Sequence, residues 1–222
     1  MEITKDWLMG KINPAEHLEF VEVPHYLCDE PGHFLLKPVL DAWMQLHKAA
    51  QADGVALTII SSTRTFERQK QIWENKWNGR ILTNGIDLST SHYSDEEKAT
   101  EILKYSAMPG TSRHHWGTDL DFNSVENDYF KTARGTKEFV WMHLTAEKFG
   151  FCRPYCDNFS RGYKGYQEEQ WHWSFAALSK KFLRKYLTDI RYNDLSAFDG
   201  SHTAEKLNVI ENYVEAISNK CK

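Results

Sequence analysis

Two segments of this chain bring together residue types able to hydrolyse a bond. The first, Ser112-Arg-His114-His-Trp-Gly117-Thr-Asp-Leu-Asp121, offers an imidazole and a carboxylate seven positions apart. The second, Glu169-Gln-Trp171-His172-Trp173, adds another imidazole and a spare carboxylate. Two histidine nitrogens and one carboxylate oxygen suit zinc and leave a coordination position open for water. His114, Asp121 and His172 are therefore the candidate metal ligands. Glu169 is the candidate base for a water whose pKa zinc lowers to about 7. Glu168 rivals it, because a local bend brings either carboxylate inward. Each residue taken singly has an ordinary explanation: a surface histidine, a salt-bridged aspartate, a core strand flanked by tryptophans. The joint spacing carries the case.

The elements that must position these groups are readable from apolar period and punctuation. Val39, Leu40, Trp43, Leu46 and Ala50 follow helical spacing, with Gly54 as the stop. Residues 55–61 are short and β-branched and read as a buried strand. Phe66, Gln69, Ile72, Trp73 and Trp77 predict a helix ending near Asn78-Gly79, and 80–93 reads as a polar loop bordering a cleft. Ser94-Asp-Glu-Glu97 is a capping box that starts a helix through about Tyr105. Gly117 permits a turn into a strand carrying Asp119 and Asp121 on one face, Leu120 and Phe122 on the other. A helix over 136–149 ends at Gly150, strands follow around 151–154 and 170–175, and the tail holds two amphipathic patterns, one at Phe182, Tyr186 and Ile190, the other at Leu207, Ile210, Val214 and Ile217. Strands interleaved with helices without βαβ repetition predict an α+β fold: a small central antiparallel sheet flanked by helices, in one domain over 1–222.

S-x-H-x-x-G-x-x-x-D followed by E-x-W-H resembles the signature of zinc D-alanyl-D-alanine carboxypeptidases of the VanY type. That family is grouped with D,D-dipeptidases, some peptidoglycan endopeptidases and the hedgehog signalling domain. Upstream, Ser61-Ser-Thr-Arg64-Thr-Phe-Glu-Arg-Gln69 resembles the family's S-x-x-R-[ST] segment, so the matching blocks run from about 55 to 175. The resemblance implies that His114, Asp121 and His172 bind one zinc ion, that Glu169 rather than Glu168 is the base, and that Arg64 stabilises the oxyanion. It implies that Gln69 and Ser112 contact the peptide or its terminal carboxylate, that Trp171 shapes the wall, and that the fold is hedgehog/D,D-peptidase-like. Asp119 departs from the pattern, where many relatives have alanine. It is expected to back the ligands or to alter the substrate pocket, with a plain surface or salt-bridge role as the alternative. His115 lies inside the motif without a role.

Bulk composition is ordinary for a soluble protein. The 222 residues carry a net charge of −4, which gives nucleic-acid binding no basic footprint. Eight tryptophans and 14% aromatic residues suit both a core and a small-ligand cleft. No apolar run approaches the roughly 20 residues of a membrane span, and the opening residues lack a signal peptide's basic start and apolar stretch. Of four cysteines, Cys152 and Cys156 are spaced for a local disulfide; half a metal site and free thiols are the alternatives.

The reading is hydrolysis of a terminal D-Ala-D-Ala bond in peptidoglycan stem peptides, the partner being peptidoglycan or its precursors. That substrate implies the periplasm or cell surface, with the cytoplasm as the alternative. An L,D-carboxypeptidase, D,D-dipeptidase or endopeptidase would keep the same zinc. A zinc-stabilised binding module is the reading from another class, and it needs neither Glu169 nor Arg64.

Overall fold

The computed structural model describes the chain except for residues 91, 158 and 163 and the side chain of residue 160. In chain order its main elements are α1 (Lys5–Leu8), β1 (Phe20–Glu22), β2 (Phe34–Leu36), α2 (Lys37–Ala52), β3 (Ile59–Ser61), α3 (Phe66–Trp77), α4 (Asp95–Ile102), β4 (Asp119–Phe122), α5 (Ala133–Thr145), β5 (Phe151–Cys152), β6 (His172–Phe175), α6 (Ala176–Asp189) and α7 (Thr203–Lys206). A four-stranded antiparallel sheet runs in the order β3-β4-β6-β5, and β1 pairs with β2. The architecture is the expected α+β with small antiparallel sheets.

The helices form where apolar period and caps agree. α2 buries Val39, Leu40, Trp43, Leu46 and Ala50, the stripe expected of a helix lying on a core. α3 starts at Thr65, whose side chain accepts from Arg68 N, and buries Phe66, Gln69, Trp73 and Trp77 on one face. At α4 the Ser94 hydroxyl accepts from Glu97 N and the Glu97 carboxylate accepts from Ser94 N, so the capping box forms as expected.

The central strand β4 is fully buried on both faces. Its register sets Asp121 opposite His172 on β6 and opposite Ser61 on β3, and Asp119 opposite Ser174. Side chains alternate along a strand, so Asp119, Asp121, His172 and Ser174 share one face. Leu120 and Phe122 are wholly buried on the other. Gly117 makes the entry into β4 possible: it sits at φ +77°, and a Cβ there would meet the Phe20 ring at 2.4 Å.

The first residues, which carry no motif, brace the turn that does. The Trp7 indole donates to the Trp116 carbonyl and the Trp116 indole donates to the Leu8 carbonyl. Both rings pack on Phe182 of α6.

Some elements are shorter than expected. Only Ile59–Ser61 of the 55–61 stretch is strand, because the Asn123 amide caps Thr58 N and the Ala56 carbonyl in place of a partner strand. The last amphipathic pattern is no continuous helix: Asn208 at φ +46° ends α7, and Ile210–Val214 forms a separate π turn, still burying Ile210, Val214 and Ile217. The disulfide joins Cys152 to Cys221, not to Cys156. β5 carries Cys152 beside the buried tail, whereas Cys156 lies beyond the bend at 154–155 and takes no part in the bridge. The bridge closes a separation of 69 residues, worth about 4 kcal/mol by chain entropy.

Candidate active site

The metal-ligand candidates converge. One ligand atom each from His114, Asp121 and His172 lies within 4.8 Å of the others, and all three residues are buried. His114 Nε2 is 3.3 Å from Asp121 Oδ2, and His172 Nδ1 is 3.0 Å from Asp121 Oδ1. The far nitrogen of each ring has a fixed acceptor. His114 donates from Nδ1 to the Ser62 carbonyl (2.7 Å), and His172 donates from Nε2 to Asp119 Oδ2 (2.9 Å). Both near nitrogens therefore turn a lone pair toward the point that Asp121 faces. Asp121 Oδ1 is buried without a hydrogen bond. Burial disfavours a charged His172, yet the hydrogen bond to Asp119 and the negative charge of both aspartates outweigh it and push the ring up to about 9. Buried electron-pair donors and a negative field both call for a cation here. The donor set fits zinc.

Asp119 is held through hydrogen bonds to both of its oxygens. Its Oδ2 accepts from Arg113 Nε (2.8 Å) as well as from His172, and its Oδ1 accepts from the Thr118 hydroxyl (2.6 Å). Arg113 also donates to the Ser174 hydroxyl and lies over the Trp116 ring. Burial opposes the Asp119 charge, but Arg113 and His172 hold its carboxyl well below the usual carboxylate range. The departure from alanine is thus a support behind His172 and at the same time one half of a buried salt bridge with Arg113. Sequence reading missed Arg113. The signal was available: a buried aspartate needs a cation, and Arg113 is the cation within the same motif block.

Glu169 and Glu168 separate cleanly. Glu169 is buried, with Oε2 3.6 Å from His172 Nδ1. Burial pushes it up to about 8, with Asp121 adding to the effect and His172 opposing it. Glu168 turns outward into an ion pair with Arg153.

Arg64 reaches the metal point from the segment after β3. It donates from Nη2 to Asp121 Oδ2, from Nη1 to Gln69 Oε1 and from Nε to the Ser61 hydroxyl, each at 3.1 Å. Five N–H donors minus three leave two for another oxygen. Its backbone is equally fixed: Arg64 N donates to the His114 carbonyl, and the Arg64 carbonyl accepts from His115 Nδ1. His115, fully buried between Arg64 and Gly110, is held neutral by burial, which lowers it to about 3. It clamps two loops together.

Gln69 differs from expectation. It is wholly buried, its amide bonded to Arg64 and to the Ala107 carbonyl, so it supports Arg64 and stands back from the cleft. Ser112 caps the turn of His114 (3.3 Å) and lines the cleft, and Trp171 lines it while stacking on Phe130. The cleft measures about 900 Å³ and is bordered by Asn84 from the 80–93 stretch, of which residue 91 lies outside the described residues. Tyr155, unremarked in the sequence, lines it with its ring 4.7 Å from that of His172.

Known proteins resemble this chain. A family model described as VanY, D-alanyl-D-alanine carboxypeptidase, matches residues 32–178. A D-alanyl-D-alanine carboxypeptidase of Enterococcus faecalis is 26% identical over 171 residues, 77% of this chain and 58% of the relative, so the chain spans little more than half of that protein. Among solved structures, VanYB in complex with D-alanine-D-alanine aligns with a TM-score of 0.55 at 24% identity, over 81% of this chain and 93% of that one. A mutant of the vancomycin-resistance D,D-pentapeptidase VanY in complex with Zn(II) aligns at 0.52 and 24% identity, over 75% and 93%. These likenesses establish the fold.

Proposed function

Because the chain belongs to the VanY family of D-alanyl-D-alanine carboxypeptidases, we propose that it is a zinc-dependent peptidase that removes the terminal D-alanine from peptidoglycan stem peptides. The observation that carries this reading is Glu169. A metal held only for structure has no use for a buried carboxylate 3.6 Å from a ligand nitrogen and outside the ligand set.

His114, Asp121 and His172 would hold one zinc ion. Bound there, zinc supplies Lewis-acid chemistry, polarising a carbonyl and acidifying water. Glu169 accepts the proton of the attacking water and returns it to the departing amine. Arg64, fixed by Asp121, Gln69 and Ser61, aims its two remaining donors at the scissile carbonyl oxygen, where negative charge develops. Ser112 and Trp171 flank the peptide. The Cys152–Cys221 disulfide supports work in an oxidising compartment, the periplasm or cell surface.

Incubating the zinc-loaded protein with defined muropeptides and weighing the products tests the proposal. Loss of one alanine from a pentapeptide is the expected result. Cleavage within a cross-link would make the protein an endopeptidase instead.

A further inference from the structure

One face of α3 lines the cleft with a stripe at four-residue spacing: Arg68, Ile72 and Lys76. Lys76 differs from the surface lysines around it. It is half-buried, and its ammonium donates to the Ser106 hydroxyl at 2.7 Å, Ser106 itself being buried. Among the described residues no carboxylate forms an ion pair with it. Burial lowers its pKa, while the field of Glu169 works the other way. An ammonium carries three donors, so two remain to face the cleft. A partly desolvated cation without a counterion gains much from an anion brought to it.

Placement narrows what that anion is. Gln69 holds Arg64, and Lys76 stands two turns further along α3, a rise of about 10 Å. Helical side chains lean toward the N-terminus, which carries the ammonium back toward Arg64. The distance corresponds to at most about three residues of extended peptide from the reacting carbonyl. A charged group elsewhere on the substrate therefore reaches Lys76 while the scissile bond lies at Arg64.

We propose that Lys76, seated by Ser106, binds a carboxylate of the peptide substrate and thereby selects which peptides are cleaved. This rests on the peptidase reading above. Two parts of a peptide carry the required chemistry: the free carboxylate at its end, and the side-chain carboxylate of an acidic residue near the cleaved bond.

Calorimetric titration of zinc-loaded Glu169→Ala protein with three peptides distinguishes them: one with both carboxylates free, one amidated at the terminus, one amidated at the side chain. Amidating the group that Lys76 binds should weaken affinity about tenfold, the size of one charged hydrogen bond. Lys76→Met should bind all three peptides alike, Lys76→Arg should retain the preference, and Ser106→Ala should retain part of it. In the Glu169 enzyme, Lys76→Met should raise KM for the acid peptide and change kcat less. Unchanged discrimination in a folded Lys76→Met protein, or no binding of the free-acid peptide to the Lys76 protein, would overturn the assignment. If the Glu169 enzyme cleaves none of the peptides while the binding preference holds, the hydrolytic reading fails and the carboxylate site stands.

Discussion

The two nitrogens of His172 face two aspartates of the same strand, and the two sides of the ring are built differently. Behind it, both Asp119 oxygens are engaged, by Arg113, Thr118 and the ring itself, in a pocket sealed by Ser174 and Trp116. In front, Asp121 shares one oxygen with Arg64 and His114 while the other, buried, has no hydrogen bond. A carboxylate with both oxygens engaged orients a neighbour but offers little to a further partner. One with an unused buried oxygen is held ready for a ligand, because leaving such an atom unmet costs free energy. Residue type and strand face are identical at the two positions; hydrogen-bond satisfaction separates support from ligand.

The largest effect is expected in front of the ring. Glu169→Ala should lower kcat by about 10²–10⁴-fold while metal analysis still finds zinc. Near-normal muropeptide hydrolysis by that variant would place the base elsewhere. The aspartates should then fail in different currencies. Asp121→Ala should abolish zinc binding in a competition assay and leave the thermal midpoint of the metal-free protein little changed, since Arg64 keeps Gln69 and Ser61. Asp119→Ala should cost about 3–5 kcal/mol of stability, because Arg113 becomes a buried unpaired charge. It should also weaken zinc by about 10–100-fold through loss of the His172 anchor. If both variants lose metal and stability in equal measure, the distinction collapses. Cys221→Ser should destabilise by up to about 4 kcal/mol in urea without altering zinc affinity, as the bridge ties the tail to β5, two positions across the sheet from β4. The smallest effect is assigned to Glu168→Ala. Its pair with the largely buried Arg153 lies at the surface edge and is worth about 1 kcal/mol, and peptide turnover should match the unsubstituted enzyme.

Much of this was readable in the chain. The candidate ligands, the spare glutamate and Arg64 all stood at spacings that suggested a chemistry, and the structure brings them together; α2, α3 and the α4 capping box followed from local pattern. The departures share a cause. Gln69 was expected against the substrate because it follows Arg64 in the motif, but a helical position says nothing about which neighbour claims an amide. Cys152 was matched with Cys156 by proximity in sequence, whereas Cα separation in space decides a disulfide, and the partner was at the far end of the chain. Asp119 and Arg113 could have been paired by asking what neutralises a buried carboxylate.

By itself the sequence determined which groups were present, and through the alternation of β4 it determined that Asp119 and Asp121 point the same way. Gly117, the only residue type that tolerates both its positive φ and the Phe20 ring against it, determined that the turn could be made. Tertiary structure decided the rest: the β4–β6 register that sets Asp121 across from His172, the inward turn of Glu169 against the outward turn of Glu168, and the engagement of Asp119 that leaves Asp121 as the candidate ligand. The register and the Asp119–His172 bond join residues about fifty positions apart, while Glu168 meets Arg153 fifteen positions away and Asp119 meets Arg113 six positions away. Local propensity does not encode them; they are settled when buried polar groups find partners across strands and loops.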